Sequence, residues 1–130
     1  MTRFFMSTSE ASKLVLSSVW RATGGEILVT KMHVAYIRDL AIAMNDLMSG
    51  QSEIEYIGVK PGEKMYEELV NDEEIRRTVD HGDFLRISPL FELLQTNQID
   101  CIERPFNSAN ETKLSVNAIS EYLLSQELIT

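Results

Sequence analysis

A small mixed α/β domain of about four short strands and four helices is what this sequence predicts, and three observations predict it. Short runs rich in β-branched and aromatic residues alternate along the chain with stretches whose apolar residues recur every three to four positions. Gly and Pro punctuate the boundaries between them, as at Thr23-Gly24-Gly25, Ser49-Gly50 and Pro61-Gly62. At 130 residues the chain can bury one core as a single domain, 1–130.

The elements follow in order. Thr2 to Met6 reads as a strand, and Ser7 with Glu10 has the spacing of a capping box that opens a helix. Ala11, Leu14, Val15, Ser18 and Val19 mark one face of that helix, which Leu16 and Trp20 widen. Gly24-Gly25 ends it and releases the chain into a strand from Glu26 to Thr30. Lys31-Met32-His33 is expected as a connection, and His33 as a solvated loop residue. Ile37, Leu40, Ala41, Met44, Leu47 and Met48 then define a second amphipathic helix. Ile54 and Tyr56 alternate with Glu53 and Glu55, the pattern of a strand with one buried face. After the Pro61-Gly62 turn a helix is expected from Glu63 to Val70, with Met65, Leu69 and Val70 inward. Asn71 to Asp80 is charged and aperiodic, Asp83 to Ser88 is a strand ended by Pro89, and residues 92–113 read mostly as irregular loop. Ser115 caps a last helix through about Gln126, with Val116, Ile119, Leu123 and Leu124 inward.

Composition excludes several functions. A formal charge of -8 argues against nucleic acid and against anionic membrane surfaces, both of which need clustered cations. No apolar run approaches eighteen residues and no leader pattern opens the chain, so a cytoplasmic protein is expected. Cys101 is the only cysteine, and neither His33 nor His81 has a neighbour at metal-ligand spacing, so neither an intrachain disulfide nor a metal site is expected.

The stretch from Gly58 to Leu69 concentrates the chemistry. Pro61 fixes φ and Gly62 permits a conformation closed to other residues, so the chain bends sharply at one place. A cation at Lys60 and a carboxylate at Glu63, held by a stiff turn, could grip the phosphates and ribose hydroxyls of a nucleotide. Ordinary solvated charges on a surface turn would look the same. Glu63 and Glu67, one helical turn apart, could suggest acid/base chemistry or a metal, but the preference of carboxylates for a helix N-terminus is sufficient reason for them and the stronger one.

The run Ile57-Gly58-Val59-Lys60-Pro61-Gly62-Glu63-Lys64-Met65-Tyr66-Glu67-Glu68-Leu69 resembles the signature of the capsular polysaccharide biosynthesis family, extended short-chain dehydrogenase/reductases that act as UDP-N-acetylglucosamine 4,6-dehydratases and related epimerases. Thr2-Arg3-Phe4-Phe5-Met6 with Glu10-Ala11, Gly25 to Val29 with Lys31-Met32, Asp39-Leu40-Ala41, Arg77-Thr78, Gly82-Asp83-Phe84 and Leu114-Ser115 fall in the expected order. The resemblance is to the C-terminal, substrate-binding portion of such an enzyme without its Rossmann domain. It implies that Lys60, usually arginine in the family, contacts a UDP-sugar diphosphate and that Glu63 accepts ribose hydroxyls; Arg3, a cation at the mouth of the first strand, could face the same diphosphate. NAD(P) is implied for a complete enzyme, and no cofactor is expected on this chain. No G-x-x-G-x-x-G follows a strand near the N-terminus. Tyr56 and Lys60 have the spacing of the family's catalytic Tyr-Lys pair, but they span a strand and a turn where the family uses a helix, so no catalytic residue is expected here.

Three functions remain open: the UDP-sugar-binding portion of a dehydratase or epimerase, inactive by itself; a binding or regulatory module; and a remnant that binds nothing. Strands Thr2 to Met6 and Glu26 to Thr30 are expected to belong to a larger interface, so the partners expected are a second copy of this chain in a homo-oligomer or a chain carrying the Rossmann domain.

Overall fold

A computed structural model describes residues 1–93 and 100–127. Among these residues it contains seven short strands and four α-helices, all strand pairing being antiparallel. Mixed α/β character is therefore as expected, with more and shorter strands. The chain divides into two compact units, one of residues 1–7, 33–67 and 108–130, the other of residues 8–32 and 68–107.

In the first unit, β1 (Thr2–Phe5) pairs with β3 (His33–Tyr36), Arg3 opposite Ala35 and Phe4 opposite Val34. Helix α2 (Ile37–Leu47) follows β3 directly, and α4 (Val116–Ser125) packs against it. Ser115 caps α4 by accepting a hydrogen bond from the Ala118 N–H, as its spacing predicted. The core is Ala35, Ala43, Ile119, Tyr122 and Leu123, with Phe5, Leu40, Leu47, Leu114 and Val116 packed around it. Of the inner face expected for α4, Leu124 is instead exposed, and Tyr122 takes the buried position. The Tyr122 ring stands edge-on to both Phe5 and His33. His33 is exposed as expected, but it belongs to a strand: its register with Phe5 holds it there, not a loop.

In the second unit, α1 (Thr8–Arg21) ends at Gly24 and Gly25, both at positive φ, and β2 (Ile27–Thr30) follows. Strands β2, β6 (Phe84–Ile87) and β5 (Thr78–Asp80) form a sheet with β6 central. Leu85, Ile87 and Thr78 are buried in it. Strand β5 emerges from the charged stretch because a 3-10 turn, Ile75–Arg77, and the Thr78 hydroxyl donating to the Glu74 carbonyl set its start. Strand β4 (Glu68–Val70) pairs with β7 (Phe106–Asn107). The short α3 (Leu90–Leu93) follows Pro89. Of residues 92–113, expected as irregular loop, 94–99 lie outside the described residues and Phe106–Asn107 form a strand.

Two expected elements are absent among the described residues. No strand forms over 53–58, and Tyr56, Ile57 and Val59 are exposed; a strand needs an edge to pair with, and none of the described strands pairs with this stretch. No helix forms over 63–70. Backbone groups there are taken by other partners: the Met65 carbonyl accepts from the Thr2 N–H at 2.9 Å and the Glu67 carbonyl from the Ser108 N–H at 2.8 Å. The apolar face expected for α1 forms on a helix but is not covered, with Val15, Leu16, Val19 and Trp20 all exposed and no residue of the helix buried.

Candidate functional site

The first unit builds the region around the Lys60 turn. Gly62 adopts φ +85°, and its neighbours close the bend with two reciprocal hydrogen bonds. The Glu63 N–H donates to the Lys60 carbonyl at 3.1 Å, and the Lys60 N–H donates to the Glu63 carboxylate at 3.1 Å. Both residues are exposed. Glu63 thus has a structural task, fixing the bend, in addition to presenting charge.

Arg3 reaches the same turn from β1. Its Nη2 donates to the Lys64 carbonyl at 2.8 Å, its Nη1 to the Thr2 carbonyl at 2.8 Å, and its Nε lies 3.6 Å from Glu67 Oε1. The structure therefore brings Arg3 against the exit of the turn that carries Lys60 and Glu63. Glu67, expected as the second carboxylate of a helix, lies instead on an extended segment and accepts from the Phe4 N–H at 3.1 Å.

Beneath this assembly sits a buried hydroxyl pair. Ser108 is fully buried; its Oγ accepts from the Glu67 N–H at 2.9 Å and lies 2.9 Å from Thr2 Oγ1. Ser108 therefore ties β1 to the segment leaving the turn. Sequence reasoning missed it because it falls in a stretch without periodicity, where burial leaves no signature.

A cleft of about 700 Å³ opens beside the turn. Val59 and Met65, which flank the turn, line it together with Tyr56 and Ile57, and on the other side Arg38 and Asp39 from the first turn of α2. Its size is that of a small-ligand site, its wall largely apolar with a few charged groups at the rim. In the sequence Asp39 stands out only within the stretch Asp39-Leu40-Ala41, and nothing singles out Arg38. Among the described residues no group of three or more His, Cys, Asp or Glu could hold a metal ion.

Residues 1–89 match the family described as polysaccharide biosynthesis protein. The chain belongs to that family. Among its relatives, a protein of Rickettsia rickettsii (strain Sheila Smith) named UDP-glucose 4-epimerase is 30% identical over 99% of this chain and 40% of its own length. A Methanocaldococcus jannaschii protein named an uncharacterized membrane protein is 42% identical over 68% of this chain and 29% of its own. Among the described residues here, no helix is long and apolar enough to cross a membrane. The crystal structure of Pen from Bacillus thuringiensis superposes with a TM-score of 0.85 at 30% identity, covering all of this chain and 39% of that one. The chain thus spans well under half the length of these relatives, and its architecture fits the C-terminal portion of an extended short-chain dehydrogenase/reductase-like protein.

The Gly24-Gly25 loop is not shaped as a cradle for a dinucleotide pyrophosphate. A pyrophosphate cradle needs glycines between a strand and a following helix, with free amides. Gly24 and Gly25 have the reverse order, helix before strand, and the N–H groups of Thr23 and Gly24 are already donated to the Glu26 carboxylate. That carboxyl is held below its ordinary value by the Thr23 N–H above all, with the Gly24 N–H adding to it. A second anion in the same loop would meet a negative charge.

Proposed function

We propose that this chain is the UDP-sugar-binding portion of a polysaccharide-biosynthesis nucleotide-sugar dehydratase or epimerase. The observation that carries this reading is the closed Lys60–Glu63 turn, tied to Arg3 through the Lys64 carbonyl and flanked by Val59 and Met65, which line the 700 Å³ cleft. Membership of the polysaccharide biosynthesis family and relatives named UDP-glucose 4-epimerase support it.

On this reading Lys60 and Arg3 face the diphosphate, Glu63 accepts from ribose hydroxyls, and the cleft takes the rest of the ligand. Lysine at position 60 offers a compact point charge where arginine would offer a planar fork, so its phosphate contact is a single mobile one. The chain's contribution is uniform binding and orientation of the UDP moiety. Hydride chemistry belongs to NAD(P) on a Rossmann domain outside these residues.

Titration calorimetry with UDP tests the assignment, on the chain itself and on its complex with a Rossmann-bearing partner. Lys60→Arg is expected to tighten UDP about tenfold, the worth of one further charge-assisted hydrogen bond, and Glu63→Ala to weaken it. Titration of the isolated chain with NAD(P) is expected to give no heat. Unchanged UDP affinity in both variants, in material that binds UDP, would make the turn a purely structural bend.

A further inference from the structure

Strand β1 uses one edge for β3. On its other edge the Thr2 N–H finds a backbone carbonyl, that of Met65, but two residues later the Phe4 N–H finds a side chain, Glu67 Oε2. A carboxylate thus stands where a third strand would place a carbonyl. The remaining oxygen of that carboxylate, Oε1, faces Arg3 Nε at 3.6 Å.

Glu67 is itself held rigidly. Its N–H donates to the buried Ser108 Oγ and its carbonyl accepts from the Ser108 N–H. Arg3 is then fixed on three sides, by Glu67 at Nε, by the Thr2 carbonyl at Nη1 and by the Lys64 carbonyl at Nη2. A guanidinium carries five N–H groups, so each terminal nitrogen keeps a second N–H beyond these contacts. The side chain of Arg3 is 23% exposed and that of Glu67 43% exposed, so as an ion pair the two contribute little to stability. Their consequence is geometric: the plane and direction of the fork are set before any ligand arrives, which lowers the ordering cost of binding.

We propose that Glu67 is the positioning residue of the site, aiming the Arg3 guanidinium at the diphosphate while completing the edge of β1. This rests on the UDP-sugar reading for what Arg3 faces, but not for the aiming itself.

Glu67→Gln separates the two roles, because a glutamine carbonyl still accepts from the Phe4 N–H but no longer attracts Arg3 ionically. In the unliganded chain, NMR exchange of the Arg3 Nε–H is expected to accelerate about two- to fivefold in Glu67→Gln, with the Phe4 amide still protected. UDP is then expected to bind about two- to fivefold more weakly while uridine, which has no diphosphate, binds as before. In the Arg3→Lys background, Glu67→Gln should add no further loss. Unchanged Arg3 exchange, or equal weakening of UDP and uridine, overturns the proposal. Absence of UDP binding by the wild-type chain and its complex would instead refute the UDP-sugar reading, and the exchange measurement would still decide whether Glu67 holds Arg3.

Discussion

Removing the Ser108 hydroxyl should destabilise the first unit far more than its loss of one oxygen atom suggests. Ser108 has no solvent exposure, and its Oγ is the acceptor for the Glu67 N–H, lies 2.9 Å from Thr2 Oγ1 and 3.3 Å from the Thr2 carbonyl. Ser108→Ala leaves the Glu67 N–H without its acceptor and the buried Thr2 hydroxyl without its partner. The Glu67 N–H left without its acceptor costs about 1–3 kcal/mol and the lost Thr2–Ser108 hydrogen bond about 1 kcal/mol, so a loss of about 2–4 kcal/mol is expected. The control is Ser120→Ala: its hydroxyl only donates back to the Val116 carbonyl within α4, and a change within about 0.5 kcal/mol is expected. Urea unfolding should be followed by tyrosine fluorescence, since Tyr36, Tyr56, Tyr66 and Tyr122 all lie in the first unit whereas Trp20 lies in the second. Equal m-values would show that the midpoint shift reports stability. If Ser108→Ala behaves like Ser120→Ala, the hydroxyl pair is not what joins β1 to the segment leaving the turn.

Two further outcomes are expected. The Glu26 carboxyl is lowered chiefly by the Thr23 N–H, and Asp80 is lowered chiefly by the Lys31 ammonium at 2.7 Å, with the Gly82 N–H adding to it. A carboxyl whose folded value is depressed contributes stability that is present above its unfolded value and lost as pH falls through the folded one, so the window lies on the acid side of about pH 4. Glu26→Gln should therefore narrow its stability difference from wild type as pH falls through that window, and a difference constant from pH 7 to pH 2 in thermal unfolding would contradict this. The exposed apolar face of α1 should drive association of the chain with itself or a partner, and Leu16→Glu with Val19→Glu should shift light scattering toward the 14.8 kDa monomer; a monomer in both forms at micromolar concentrations would refute it.

What the sequence disclosed and what it hid divide along one physical line. Elements whose partners are local or whose caps are written in residue type were legible: α1, α2 and α4 from their periodicity, the end of α1 from Gly24-Gly25, the cap from Ser115, and strands β1, β2 and β6 from their β-branched and aromatic runs. The segment from Glu63 to Val70 was misread because its helical spacing is real but its hydrogen bonds are claimed from a distance, by Thr2 and Ser108. Local preference amounts to tenths of a kcal/mol per residue, while each long-range hydrogen bond contributes about 1 kcal/mol, so tertiary partners win. The stretch 53–58 shows the converse. Its alternation is that of a strand, yet a strand needs an edge to pair with, and none is supplied among the described residues. The site divides in the same way. Lys60 and Glu63 were visible because a Pro-Gly turn fixes their relation locally, and Arg3 as a cation at the mouth of the first strand. Glu67 and Ser108, which hold Arg3 in place, are defined by contacts 63 and 106 residues apart in the chain, measured from Phe4 and Thr2. Strands Thr2 to Met6 and Glu26 to Thr30 are expected from the sequence to face a partner; within the chain β1 is paired by β3 and hydrogen-bonded by Met65 and Glu67, and β2 is paired on one edge by β6. Exposed apolar side chains lie on α1 and on residues 56–59, and also at Ile27 of β2, Met48, Leu90 and Phe91. An amphipathic pattern states that a face wants burial; it carries no information on whether the burying surface belongs to the same chain.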